Sequence, residues 1–180
     1  VVYGASMEYA MGKVFFLCLM IGFLIAFSLT NESLAYASDL VEGYQKISDT
    51  QGNFDYVFTW YRNWGFSGSH IGDLDGDGIN DLLVGSHNNV DEDEVFIIFL
   101  NDDATVREYQ VISPSHGGFT GKIDQGDGFG FSVADLGDVN GDGITDIAVG
   151  AETDSDDGYW SGAVWILFLN PNGTVKGHQK

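Results

Sequence analysis

Short apolar runs separated by polar turns dominate the hydrophobic pattern of this chain. The two clearest are Val95–Leu100 and Ala163–Leu169, and each is followed by a cluster of Asn, Asp, Pro or Gly residues. Two shorter runs, Leu82–Val84 and Ile147–Val149, are each followed by a glycine. Runs of this length between turn signals predict buried strands rather than helices. Because both longer runs are apolar at every position, we expect each to be buried on both faces of a sheet.

An acidic loop lies directly before each of the shorter runs, and the two loops start 65 residues apart. In both loops, oxygen-bearing side chains stand at the first, third, fifth and ninth positions, and glycines at the fourth and sixth supply the positive φ angles of a tight turn. The seventh residue would offer its backbone carbonyl. Calcium takes several oxygen ligands at about 2.3–2.6 Å, so the pattern predicts two calcium sites. Their ligands would be Asp73, Asp75, Asp77, Ile79 and Asp81 in the first loop, and Asp138, Asn140, Asp142, Ile144 and Asp146 in the second.

The flanks of the loops decide which kind of calcium protein this is. An EF-hand has a helix on each side and a bidentate carboxylate at the twelfth position, where this chain has Val84 and Val149. Instead, Phe129-Gly130 precedes the second loop and Gly150-Ala151 follows it. With these residues the chain resembles the FG-GAP repeat, the blade of integrin-α-type β-propellers. The first copy departs from this pattern, with Trp-Gly and Gly-Ser at the corresponding positions.

The repetition extends well beyond the loops. At the 65-residue spacing, Val41–Ser48 corresponds to Val106–Ser113, and a third copy of this segment begins at Val175. Each repeat contains four predicted strands, which is the strand count of one propeller blade. In the second repeat the strands are predicted at about 131–136, 146–150, 163–169 and from 174 onward. We therefore predict an all-β chain of FG-GAP-type β-propeller blades, with about two four-stranded blades plus one extra strand.

This count leaves an incomplete propeller, because a closed ring has about 4–8 blades. Either further blades follow in a longer chain, in which Val41–Ser48 would complete the last blade, or the chain closes by forming an oligomer. The predicted boundaries are 38–62 for the leading strand and linker, 63–113 for the first FG-GAP-like repeat, and 114–180 for the second repeat, truncated at its last strand.

The N-terminal part of the sequence predicts a secretory signal peptide. Residues 1–10 are expected to lie upstream of a native start at Met11, and 11–37 combine a positive start, an apolar region and a small-residue cleavage site. The alternative is a membrane anchor, since the apolar region approaches the ~20 residues that a span needs. After cleavage we expect a secreted or cell-surface chain with no membrane span and no cysteine.

The charge of the chain limits its partners. A formal net charge of −20, from 27 acidic and 7 basic residues, argues against nucleic acid and anionic lipid surfaces. Crowded carboxylates repel one another, so we expect each calcium loop to be ordered only with its metal. The other acidic runs, at 91–94 and 154–157, could form a second metal site, but they lack a glycine or an ordered ligand spacing, so we expect solvated turns.

The resemblance implies a non-catalytic binding or adhesion module whose partner is an extracellular protein or glycan. The alternative is the propeller part of a secreted enzyme, of the phospholipase or polysaccharide lyase type, whose catalytic domain lies outside this sequence. The four histidines lack the i, i+4 spacing of a helical metal site, and Asp124 and Asp127 read as a polar loop rather than an acid–base pair. The sequence therefore favours binding over catalysis.

Aromatic residues offer two interpretations. Trp60, Tyr61 and Trp64 could form a sugar-stacking platform, but large aromatic side chains in a propeller more often fill the wedge between blades. Trp160 stands in a loop and is a candidate for a partner contact.

Overall fold

The computed structural model describes residues 43–58, 63–87 and 93–180. The predicted signal peptide at 11–37 and residues 1–10 before it lie outside these ranges, as do Trp60 and Tyr61. Gln45–Lys180 form one compact unit, whose described regular elements are all strands. The described ranges hold no helix of the length and apolarity that crossing a bilayer requires.

The described strands form two four-stranded antiparallel sheets, in which each strand pairs with its neighbour along the chain. The first sheet contains β1 (Asn63–His70), β2 (Leu82–His87), β3 (Glu94–Leu100) and β4 (Val106–Ile112). The second contains β5 (Phe129–Gly137), β6 (Asp146–Ala151), β7 (Ala163–Leu169) and β8 (Val175–Gln179). A meander of four strands is the unit of a propeller blade, so the predicted fold class is confirmed. We call the two sheets the first and the second blade.

Both blades repeat the same irregularity in their first strand. The register between β1 and β2 shifts just after Trp64, and that between β5 and β6 shifts just after Phe129. The next residue in each case is a glycine with a positive φ angle, 82° at Gly65 and 89° at Gly130. Such a glycine lets a β-bulge take up an extra residue and bend the strand. The Trp-Gly and Phe-Gly pairs therefore occupy the same structural position.

The segment that precedes each blade is tied to that blade's fourth strand. The carbonyl of Gly52 accepts a hydrogen bond at 2.8 Å from the N–H of Val106, where β4 begins. The carbonyl of Gly117 accepts an equivalent bond, also at 2.8 Å, from Val175 at the start of β8. The structural repeat thus includes the linkers as well as the strands.

The leading strand predicted at 41–48 is not formed in its described part. Residues 43–47 belong to no strand, and Ser48 makes only an isolated bridge with Gln51. The matching bridge of Ser113 with His116 follows directly on β4. A strand needs a neighbour to pair its backbone N–H and C=O groups, and neither described sheet pairs with this segment. The turn of the repeat is therefore present without its strand.

The main hydrophobic core lies between the two blades. It joins side chains of the first blade, such as Leu83 and Ile97, to side chains of the second, such as Ile147 and Leu167, and none of these four has exposed surface. A second cluster covers the opposite face of the first blade and includes Phe54 from the linker. The first blade is therefore packed on both sides.

Burial of the long apolar runs differs between the blades. Every residue of β3 is buried, as the sequence predicted. The expectation of two buried faces is wrong for β7, because Trp165 and Leu167 face the core while Val164 on the other face is 59% exposed. The second blade and the linker enclose β3 from both sides, whereas the described residues cover β7 from one side only.

Aromatic side chains fill the wedge beside each blade. In the first blade, Phe54 lies 5.0 Å from Trp64 and 5.0 Å from Tyr109, measured between ring centroids. In the second, Phe119 packs in the same way against Phe129 at 5.2 Å and His178 at 5.1 Å. Trp64 thus has the packing role that the sequence favoured over a sugar platform. Trp160 is 63% exposed and stacks on its neighbour Tyr159.

The acidic runs outside the two predicted calcium loops are less solvated than predicted. Asp93, Glu94 and Asp154 are each less than 5% exposed, so the expectation of solvated turns is wrong for these three, while 91–92 lie outside the described residues. Polar partners compensate for the burial of Asp93 and Glu94. Asp93 accepts a hydrogen bond at 3.1 Å from the N–H of Gly128, and the Tyr56 hydroxyl donates to Glu94 at 2.9 Å.

Candidate metal centre

The two predicted calcium loops occupy the same place in both blades, between the first and second strands. The loops connect β1 to β2 and β5 to β6. Two backbone hydrogen bonds close the base of the first loop, from Ile71 N–H to the Asp81 carbonyl at 3.1 Å and from Asp81 N–H to the Gly72 carbonyl at 2.7 Å. The glycines at the fourth and sixth positions have φ angles between 79° and 92°, as the tight turn requires.

The carboxylate at the first position organises each loop. Asp73 accepts hydrogen bonds on Oδ1 from the N–H groups of Gly76 at 2.8 Å and Asp77 at 2.9 Å, and on Oδ2 from Gly78 at 2.9 Å. Asp138 accepts the three corresponding bonds at 2.7, 2.9 and 2.8 Å. Because successive N–H groups converge on one carboxylate, the backbone wraps around the first position in both loops.

The carboxylate at the ninth position anchors each loop to the blade. Asp81 and Asp146 are fully buried. Asp81 accepts hydrogen bonds from Leu74 in its own loop at 3.1 Å and from Leu100 at the end of β3 at 3.2 Å. Asp146 makes the same two bonds, to Val139 and to Leu169. Burial raises the pKa of the Asp81 carboxyl. The hydrogen bonds from the two backbone N–H groups lower it, but the net direction is upward.

The structure brings together part of the predicted ligand set of the first loop. Carboxylate oxygens of Asp73, Asp75 and Asp81 lie within 4.8 Å of one another, close enough to share one ion. Asp77 instead uses Oδ1 to accept the N–H of Ile79 at 2.8 Å, while its Oδ2 pairs with Arg107. Ile79 is half-buried against the hydrophobic cluster of the first blade, which fixes the seventh position of the loop.

The second loop repeats the hydrogen bonds from backbone N–H groups to side chains and has a carboxamide at its third position. Asn140 accepts the N–H of Asp142 at 3.0 Å, and its Nδ2 donates to Asp146 at 3.1 Å. Asp142 accepts the N–H of Ile144 at 2.9 Å on Oδ1, and its Oδ2 pairs with Lys176. Ile144 packs against the core between the blades. All ten predicted ligand residues thus lie in two matching loops.

The donor set of both loops fits a hard cation. The ligand positions offer side-chain oxygens or, at the seventh position, a backbone carbonyl, and no sulfur or imidazole group takes part in the described contacts of the loops. After the bonds to backbone N–H groups are counted, Asp75, Asp77 and Asp142 each keep one carboxylate oxygen for another partner. Calcium, with its flexible coordination by carboxylate and carbonyl oxygens, suits such loops better than the strictly octahedral magnesium ion.

Sequence reasoning missed the two basic residues at these loops. Arg107 and Lys176 are the second residues of β4 and β8, and they lie 69 residues apart, the spacing at which the fourth strands repeat. That spacing was visible in the sequence. Their contact with the loops was not, because it joins residues about 30 positions apart across a sheet.

The fold and the loops together define a class of protein: a β-propeller assembled from four-stranded blades that carry an acidic loop between their first and second strands. Comparison with known families agrees, since residues 129–167 match the FG-GAP repeat. The match begins at the Phe-Gly pair of β5 and includes the whole second loop.

Two known proteins of the integrin-alpha type are similar to part of this chain. The chain is 36% identical over 111 residues to integrin alpha-PS2 of Drosophila melanogaster. The aligned region covers 57% of this chain and 8% of that protein. It is 33% identical over 107 residues to integrin alpha-4 of Xenopus laevis, covering 58% of this chain and 9% of that protein. Residues 129–167 are therefore similar to an FG-GAP repeat, and the chain is similar to integrin alpha chains over a little more than half of its length. The matched part is less than a tenth of the length of these relatives.

Proposed function

We propose that the chain is a calcium-stabilised, non-catalytic part of a secreted adhesion propeller that binds an extracellular protein or glycan. The observation that carries this proposal is the pair of matching loops, whose hydrogen bonds agree residue by residue at the 65-residue spacing. One acidic turn could arise without a ligand. Two loops that keep oxygen-bearing side chains at the same four positions and the same backbone hydrogen bonds favour a shared ligand, and the donor set favours calcium.

Calcium binding by the loops also fits the extracellular location that we expect for the chain. Extracellular calcium modules commonly use sites with dissociation constants of about 10⁻⁴–10⁻³ M, which fill outside the cell. The predicted signal peptide at 11–37 and the lack of cysteine after it fit the same interpretation. Neither of the two integrin matches carries an enzyme's name, which favours binding over the enzyme alternative.

The exposed face of β7 supports the expectation of further blades. At the corresponding face of β3, Val95 and Ile97 are fully buried against the second blade. Val164 and Ile166 stand 69 residues later at the equivalent positions of β7, yet Val164 is 59% exposed. Because large exposed apolar patches mark interaction surfaces, we propose that another four-stranded blade, from the same longer protein or from a second copy, packs there.

Calorimetric titration of the metal-stripped chain with calcium is expected to show two sites. Asp77→Ala and Asp142→Ala each remove one fifth-position carboxylate and should leave one site, and the double variant should leave none. Asp102→Ala, in the exposed turn after β3, is the matched control and should retain both. A wild-type chain that releases no calcium heat would contradict the proposal, as would a double variant that binds like the wild type.

Adhesion is tested by binding the chain to immobilised matrix proteins and glycans with and without a chelator. Saturable binding that is lost on chelation, and lost in the Asp77→Ala/Asp142→Ala variant, is the expected result, because the loops hold the blades in their folded form. Hydrolysis of a phospholipid or polysaccharide by the folded, calcium-loaded chain, without such binding, would favour the enzyme alternative.

A further inference from the structure

Each calcium loop has one basic side chain in contact with its ligand carboxylates. Arg107 pairs with both Asp75 and Asp77, and Lys176 pairs with Asp142. The chain has only 7 basic residues against 27 acidic ones, so two basic side chains at equivalent positions of two repeats are a notable share. Both side chains are about one third exposed.

The carboxylate oxygens that these side chains contact are the ones that the backbone leaves free. Asp75 and Asp77 accept backbone N–H groups on Oδ1 and meet Arg107 with Oδ2. Asp142 does the same, with its Oδ1 on the backbone and its Oδ2 on Lys176. A calcium ion in the loop would need the same free oxygens. The basic groups and the ion therefore compete for shared ligands.

The strand geometry explains why the basic side chains reach the loops. The register between β3 and β4 shifts at Leu100, and that between β7 and β8 shifts at Leu169. These two leucines also donate the N–H groups that anchor the ninth-position carboxylates. The start of each fourth strand is thus fixed next to the loop. The Arg107 guanidinium also lies 5.7 Å from the centre of the Phe99 ring, which helps to hold its orientation.

We propose that Arg107 and Lys176 are built-in counter-cations that hold the ligand carboxylates of an empty loop and are displaced when calcium binds. The proposal rests on the calcium binding proposed above and adds the residues that set its affinity. An empty first loop has four carboxylates, and a guanidinium that bridges two of them relieves their repulsion. Lys176 contacts a single carboxylate and, as a flexible point charge, is the weaker competitor. The two sites therefore differ in how much affinity they lose to their internal cation.

The test is calcium titration of Arg107→Gln and Lys176→Gln, each in a chain whose other loop carries the fifth-position alanine substitution. Calcium affinity of the corresponding loop is expected to rise about tenfold, the order of magnitude for removing a unit charge a few ångström from a divalent ion. In chelator, the melting temperature of both variants is expected to fall below that of the matched parent. Lys122→Gln removes the same charge from a surface pair with Asp124 and should change neither quantity.

Arg107→Lys separates competition for the oxygens from charge alone. It keeps the positive charge but loses the fixed fork that bridges Asp75 and Asp77, so the calcium affinity of the first loop should still rise above that of the parent. An affinity equal to that of the parent would overturn the bridging role. Unchanged or weaker affinity in both glutamine variants would overturn the counter-cation proposal while leaving calcium binding intact. If neither the wild type nor any variant bound calcium, both proposals would fail together.

Discussion

Gly85→Ala is expected to destabilise the chain by about 3 kcal/mol, whereas Gly150→Ala at the equivalent position of the second blade should cost less than about 1 kcal/mol. Both glycines lie on their second strand, 65 residues apart. A Cβ atom on Gly85 would come closer than 3.0 Å to the carbonyl oxygen of Gly130, which belongs to the other blade. The added methyl group can fit only if the two blades move apart.

Gly150 is the matched control because its nearest neighbour can move. A Cβ atom there would meet the hydroxyl of Ser132, and the next atom is 3.5 Å away. Ser132 is exposed, so its side chain can rotate to another staggered position at low cost. Urea unfolding of both variants and the wild type measures the difference. Equal losses of unfolding free energy would show that the Gly85 contact with Gly130 does not hold the blades together.

The same contact explains the glycine of the Phe-Gly pair. Gly130 has a φ of 89°, and the Ser67 hydroxyl of the first blade donates to its carbonyl at 3.0 Å. The bulge therefore turns the carbonyl of Gly130, in the second blade, toward Gly85 and Ser67 of the first blade. Gly65 has the same conformation in the first blade, and an added Cβ would meet nothing within 4 Å. In this chain, the glycine of the Phe-Gly pair thus helps to pack the second blade on the first.

The sequence predicted the blades well because their signals are local and repeated. Three signals each predict a strand or a repeat without reference to the rest of the fold. They are the short apolar runs such as Val95–Leu100, the glycine after each shorter run, and the 65-residue spacing. Burial depends on those neighbours, and there the predictions failed. β7 has the same apolar run as β3, but Val164 remains exposed because the second blade is covered on one side only in the described residues.

The candidate site was predictable to the same extent. The spacing of oxygen side chains predicted two matching turns, and the hydrogen bonds around Asp73 and Asp138 form within nine residues. The ligand role of the ten residues stays a prediction. What the spacing could not reveal were contacts across the sheet. Asp81 accepts the N–H of Leu100 from β3, and Arg107 reaches Asp75 from β4, and both contacts depend on how strands far apart in the chain align. Likewise, Asp93 is buried by its bond to Gly128 of the linker before the second blade.

Removal of calcium is expected to lower the melting temperature of the chain by about 10 °C. A ligand that binds only the folded state stabilises it by RT ln(1 + [L]/Kd). At about 1 mM free calcium and a dissociation constant of about 10⁻⁴ M, each site contributes about 1.4 kcal/mol and two sites about 2.8 kcal/mol. For a domain of this size, 1 kcal/mol shifts the melting temperature by about 3–5 °C, which gives the expected value.

Differential scanning calorimetry in 1 mM calcium and in excess chelator measures this shift, and calcium added back in excess should restore it. Magnesium at the same concentration should restore little, because an octahedral ion fits these loops poorly. The Asp77→Ala/Asp142→Ala double variant is the internal control. Lacking a free fifth-position oxygen in either loop, it should melt at the same temperature with and without calcium. An equal melting temperature of the wild-type chain with and without calcium would contradict this prediction. It would mean that Asp73, Asp81 and their counterparts are sufficient to hold the loops in shape and that calcium does not stabilise them.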